Sequence, residues 1–188
     1  MKRRLQILSL FLVLAIAISC ASRATLEPKE AVPVPKDRIH YDDGDTFSFD
    51  DITIRVLGID TPEIAHPEHG FPIGQPFGPE AAERAEELLR AADRITYLPF
   101  RNDQYGRLLA HVFIDGELLG IKLIEEHLAY ETVSHYGDNG RPEIAAAILK
   151  AAKKAGDPPF RPPHEWRREN RVQATEESGS TAPADSTR

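Results

Sequence analysis

At 188 residues the chain can hold one compact domain with extensions, but not two sizeable ones. Its hydrophobic fraction of 41% is that of a folded protein, which excludes disorder throughout. A formal net charge of −7 excludes a protein that grips duplex nucleic acid over a broad basic face.

In chain order, the basic stretch Met1-Lys2-Arg3-Arg4 is followed by an apolar run from Leu5 to Ile18, broken only by Gln6 and Ser9. That run is too short for a comfortable membrane-spanning helix and has the shape of a secretory signal. It ends in Ala17-Ile18-Ser19-Cys20, which resembles a bacterial lipobox, where small residues precede a cysteine that becomes lipidated. Residues 1–20 are therefore read as a signal peptide with Cys20 as the lipidation site. A plain signal cut near Ser19 to Ala21 would leave Cys20 incidental. The first route exports the protein to a lipid anchor on the bacterial cell envelope, the second secretes it. Cys20 is the only cysteine, so no internal disulfide can form. Residues 21–37 are Pro-rich and aperiodic and read as a flexible tether.

Residues 38–168 read as the folded domain. Strands are expected over 38–41 and 46–49, flanking the turn Asp42-Asp43-Gly44-Asp45, and over 52–56, where Ile52, Ile54 and Val56 share one face and Arg55 takes the other. A long loop with four prolines covers 61–77. Pro79 suits the first turn of a helix running to about Ala92, with Ala81, Ala85, Leu88, Leu89 and Ala92 as its apolar stripe. Strands over 94–100 and 108–114 follow, then a turn at Asp115-Gly116, a helix near 118–127 and a last helix from Pro142 to about Ala155. Residues 169–188 are rich in Ser, Thr and Glu and read as a disordered tail. Short strands with helices inserted late suggest an α+β domain, mainly β: a five-stranded barrel of the oligonucleotide/oligosaccharide-binding (OB) type with about three helices. Periodicity alone fits a small α+β sandwich equally well.

Three clusters carry chemistry. Asp42-Asp43-Gly44-Asp45-Thr46 serves equally as a hairpin turn, and it lacks the twelfth-position ligand of a helix-loop-helix calcium loop. Asp60-Thr61-Pro62-Glu63, five residues after Arg55, could cap a helix, but Ile64-Ala65-His66-Pro67 does not continue one. Asp103-Gln104-Tyr105-Gly106-Arg107 is good turn chemistry between two strands. Together they hold Asp residues for a hard cation, a Glu to act as base and two Arg whose planar forks suit phosphate oxygens. Phosphodiester cleavage needs that set.

The ordered set Asp43-Gly44-Asp45-Thr46, Arg55, Asp60-Thr61-Pro62-Glu63, Gly78-Pro79-Glu80-Ala81 and Asp103-x-Tyr105-Gly106-Arg107 resembles the staphylococcal nuclease (thermonuclease) family over about residues 38–155. The ending Pro162-Pro163-His164-Glu165-Trp166-Arg167-Arg168 resembles a Pro-Trp-Arg ending of many bacterial members. The resemblance implies a five-stranded OB-type barrel and a Ca2+ cofactor held by Asp45, Asp60 and the Thr61 carbonyl, with Asp43 in support. It further implies Glu63 as general base, Arg55 and Arg107 as stabilisers of the five-coordinate phosphorus, and 3′-phosphate products from DNA and RNA.

Tyr105 and Tyr136 are the candidate substrate-binding residues, the latter only with a one-residue shift from the family pattern, and Gln104 stands where a lysine is usual. The domain itself carries an acidic excess, so modest affinity and a preference for single-stranded DNA or RNA are expected, from a monomer. His66 and His69 could mark a second metal site but have no further His or Cys near them in sequence. The competing reading is a non-catalytic, nuclease-like binding module on the cell envelope.

Overall fold

Two-residue alternation lays down the sheet, and it starts upstream of the expected domain boundary. The computed structural model describes residues 25–67 and 70–170. Strand β1 (Val32–Pro33) is an edge strand, where a proline removes no ladder hydrogen bond that the sheet needs. Around it, Val34 is buried and donates its N–H to the Ile95 carbonyl at 2.9 Å. Glu27 accepts from Arg94 at 2.6 Å and from the Thr96 hydroxyl at 2.7 Å. Residues 25–36, read from sequence as tether, thus lie against the domain.

After a 3₁₀ turn at Lys36–Arg38, β2 (Ile39–Tyr41), β3 (Thr46–Phe49) and β4 (Ile52–Val56) form an antiparallel meander. Its second turn is tight enough to need Asp50 at a φ of 49°, a conformation Asp tolerates. The short β5 (Ile59–Asp60) comes next, and the long loop then leads to α1 (Gly78–Ala91), which buries Ala81, Ala85 and Leu89 as expected. β6 (Ile95–Asn102) and β7 (Leu108–Ile114) make the longest hairpin, with a register shift between Pro99 and Arg101. β8 (Glu117–Leu118), α2 (Leu119–Glu125), β9 (Tyr130–Glu131), α3 (Val133–Tyr136), α4 (Pro142–Ala155) and α5 (Pro163–Asn170) complete the described chain.

The sheet runs β1-β6-β7-β4-β3-β2 and is curled, with β8 beside β7, and β5 pairs separately with β9. The fold is the mixed α+β, OB-type architecture expected. It carries extra two-residue strands, and five α-helices rather than about three among the described residues. Phe47, Ile54, Leu89, Val112, Phe113, Leu123 and Ile148 form one continuous core between the sheet and α1, α2 and α4. Two pairings aim the chemistry. Parallel pairing of β4 with β7, at Ile54↔Leu108, brings Arg55 and Arg107 to one end of the sheet. The β5–β9 pair sets Asp60 opposite Tyr130. No helix among the described residues is long and apolar enough to cross a membrane. The expected signal peptide with Cys20, His69, and residues 171–188 of the expected tail lie outside the described residues, while residues 169 and 170, expected in that tail, end α5.

β7 also carries His111 into the interior, where it is 3% exposed. Burial, with the positive charge of Arg141 added, pushes its pKa down from 6.5 to about 4. The fold therefore holds the imidazole neutral, while the unfolded chain protonates it below about pH 6.5. The stability carried by that neutrality is complete above pH 6.5 and is lost as pH falls toward about 4. Between pH 7 and 4.5, urea denaturation should show the wild type losing about 2 kcal/mol more than His111→Phe. Equal losses would contradict the burial-driven shift.

Candidate active site

The floor of the site is built by the turn before β3 and the segment after β5. Asp43 turns its carboxylate back to accept the Asp45 N–H at 2.9 Å. Gly44 permits the turn to press on Thr61: a Cβ there would stand 2.8 Å from the Thr61 hydroxyl oxygen. Asp45, 4% exposed, accepts the Thr61 N–H at 2.8 Å and the Thr46 hydroxyl at 3.2 Å. Asp60 is 5% exposed and Thr61 is buried beside it.

Two guanidinium groups then stitch the carboxylates together. Arg55 pairs with Asp45 and donates to Asp60 at 2.7 Å. Arg167, from α5, forks onto Asp60 at 2.9 and 3.2 Å and onto the Glu63 carboxylate. The result is an alternating chain, Asp45–Arg55–Asp60–Arg167–Glu63, in which every charge has a neighbour of opposite sign. Although burial works against its charge, Arg167 is held above the ordinary guanidinium value by Asp60 and Glu63. Burial raises the Glu63 carboxyl above its usual range; Arg167 offsets part of that, and the negative charges of Asp43 and Asp60 add to it. Asp43 is raised too, by burial against the opposing pull of Arg55.

The backbone position of Glu63 is fixed by α1. Its carbonyl accepts the Gln75 N–H at 2.8 Å, and Gly78, opening the helix, packs directly on the same peptide. A Cβ at position 78 would stand 2.2 Å from the Glu63 carbonyl oxygen, backbone against backbone, so something must move. Gly78→Ala should therefore destabilise the fold by about 1–3 kcal/mol and displace Glu63. A thermal melt paired with a cleavage assay checks it. Unchanged values in both would mean that the contact is slack.

The opposite wall comes from the β6–β7 hairpin and α3. Asp103 accepts the N–H groups of Tyr105 and Arg107 and the Nε of Arg107, at 2.9, 2.9 and 2.8 Å, with Gly106 at a φ of 84° closing the turn. Arg107 lies 5.5 Å from the Tyr105 ring. Tyr105 and Tyr136 are each 70% exposed. A cavity of about 1000 Å³ is lined by Asp45, Arg55, Glu63, Tyr105, Arg107 and Tyr136, with Asp60 held beneath through Arg55 and Arg167. Asp45, Arg55, Asp60, Thr61, Glu63, Tyr105, Arg107 and Tyr136 are thus brought to one place, Asp60 and Thr61 through their bonds to Arg55 and Asp45.

Arg167 is the site residue that sequence reasoning missed. In the sequence, the ending that contains it shows only its resemblance to a family terminus. Its spacing held a signal: His164, Arg167 and Arg168 share a face beside the buried Pro163 and Trp166.

Among the described residues no three His, Cys, Asp or Glu side chains gather as a metal cluster. Asp45 and Asp60 nevertheless present only oxygen donors, the chemistry a hard divalent cation takes, and their charge is balanced by Arg55 and Arg167. His66 lines the cavity, while its expected partner His69 lies outside the described residues.

Residues 53–157 match the model of the staphylococcal nuclease homologue family. The chain is similar to the SPbeta prophage-derived endonuclease YokF of Bacillus subtilis, 38% identical over 123 residues, covering 58% of this chain and 39% of YokF. It is similar to a thermonuclease of Staphylococcus intermedius, 35% identical over 117 residues, covering 60% of this chain and 68% of that protein. Endonuclease YncB of Bacillus subtilis is 36% identical over 126 residues, covering 60% of this chain and 56% of YncB. The chain thus spans well under two thirds of the two Bacillus proteins.

Proposed function

Because the chain belongs to the staphylococcal nuclease homologue family, we propose that it is a calcium-dependent phosphodiesterase cutting DNA, RNA or both. The observation that supports this most is the gathering of Arg55, Glu63 and Arg107 at one cavity over the buried Asp45 and Asp60. Calcium, held by Asp45, Asp60 and the Thr61 carbonyl, would supply charge to polarise the phosphoryl group. Glu63 takes a proton from the attacking water once Arg167 has released its carboxylate. The water oxygen bonds to phosphorus, and the bond from phosphorus to the 5′ oxygen breaks, that oxygen taking up a proton from solvent water to leave as a hydroxyl. Arg107, whose fork beyond Nε is free of Asp103, and Arg55, once the cation has taken Asp45 and Asp60 from it, hold the phosphoryl oxygens and the charge that builds up on them. Tyr105 and Tyr136, exposed at the rim, offer ring faces to the bases of a single strand.

The setting belongs to the same proposal. The chain is exported as a monomer and carries a lipid on Cys20, or is secreted if the signal is cut without one. Either places it where calcium is plentiful. The reading is tested by incubating the full chain with end-labelled single-stranded DNA and RNA and identifying the new ends. Fragments with 3′-phosphates are expected, and 5′-phosphates would overturn the assignment of the leaving oxygen.

A further inference from the structure

Helix α5 is firmly seated. Phe160, just before it, packs on Phe77 and Tyr130 with ring centroids 5.7 and 5.5 Å away. The Arg161 carbonyl accepts Gln75 Nε2 at 2.6 Å, and Trp166, 8% exposed, packs on Phe71 at 5.9 Å. His164, Arg167 and Arg168 all line the cavity from this helix. The arginines around the cavity differ in one respect. Arg55 and Arg167 are engaged by Asp45, Asp60 and Glu63, and the Nε of Arg107 by Asp103. Arg168 is exposed and makes no ion pair among the described residues. In a chain of net charge −7, an uncommitted fork at the cavity edge suits a polyanion. His164 lies four residues before it on the same face and packs on His135 at 6.4 Å, beside Tyr136. α5 is therefore one bank of the cavity, and it adjoins Tyr136 through the His164–His135 contact.

We propose that Arg168, with His164, forms a subsite for a nucleic-acid phosphate flanking the one under attack, so that α5 is one bank of a strand-binding groove. This rests on the phosphodiesterase reading and adds to it a reason why an acidic chain holds a strand at all. A longer strand reaches the subsite, whereas a mononucleotide diester is too short.

The test uses the full chain as wild type, Arg168→Ala and Arg168→Lys. The readout is the ratio of kcat/KM for an octathymidylate to that for a 4-nitrophenyl mononucleotide diester. Arg168→Ala should lower that ratio about 5- to 10-fold, with Arg168→Lys in between. Octathymidylate binding in chelator, followed by anisotropy at several salt concentrations, should lose about 0.7 from its log–log salt slope in Arg168→Ala. An unchanged ratio and slope would overturn the subsite. A wild type that cuts neither substrate would instead remove the phosphodiesterase reading on which the subsite rests.

Discussion

Glu63→Gln is expected to lower kcat for phosphodiester cleavage by about 10²–10⁴-fold, the range that general-base catalysis contributes. The substitution keeps the shape of the side chain and an oxygen for Arg167. The Glu63 carbonyl still accepts the Gln75 N–H, so the loop stays in place. The buried links between Asp45, Arg55 and Asp60 do not involve position 63. What is lost is the ability to take a proton from water, which is felt in the transition state. Oligonucleotide affinity should be no weaker, since one negative charge leaves the cavity. Single-turnover cleavage beside equilibrium binding separates the two effects. A kcat within tenfold of wild type would remove Glu63 from the role of base.

Arg107→Lys is expected to lower kcat about 10²-fold with the melting temperature within about 2 °C of wild type. Of the two arginines, Arg107 gives the cleaner experiment. Arg55 joins two nearly buried carboxylates, and removing it would leave Asp45 without its ion-pair partner while Asp60 keeps Arg167, at a cost of about 3–5 kcal/mol in stability. Arg107 sits on a hairpin loop and pairs with Asp103, with a third of its side chain exposed. Lysine keeps the charge and loses the fork. A drop of less than threefold would mean that a point charge suffices and that bidentate contact is not what Arg107 contributes.

How much of this was legible in the sequence follows from range. The alternation of Ile52, Ile54 and Val56 and the stripe Ala81, Ala85, Leu89 are local patterns, and they marked β4 and α1 within a residue or so. Pro142 and Gly156 punctuate α4 at both ends, which is why its bounds agree. The β5–β9 pair was not visible, because two residues paired across some seventy positions leave no periodicity. Val32–Pro33 was hidden by its proline, which reads as linker until an edge strand gives it a place. At the site, the Asp, Arg and Glu set showed itself as three short clusters at recognisable spacing. Arg167 did not, since its contacts with Asp60 and Glu63 close over more than a hundred residues and depend on how Trp166 seats the last helix.

The central claim is that Glu63 and two arginines cut phosphodiesters beside a cation held by Asp45 and Asp60. It is tested most directly by following single-stranded DNA cleavage by the full chain in calcium, in excess chelator, and after calcium is restored. Cleavage in calcium, background in chelator and recovery on restoration are expected. Equal cleavage in chelator would contradict the cation's part in the mechanism. Binding of the strand without cleavage under any of the three conditions would make this chain a nuclease-like binding module instead.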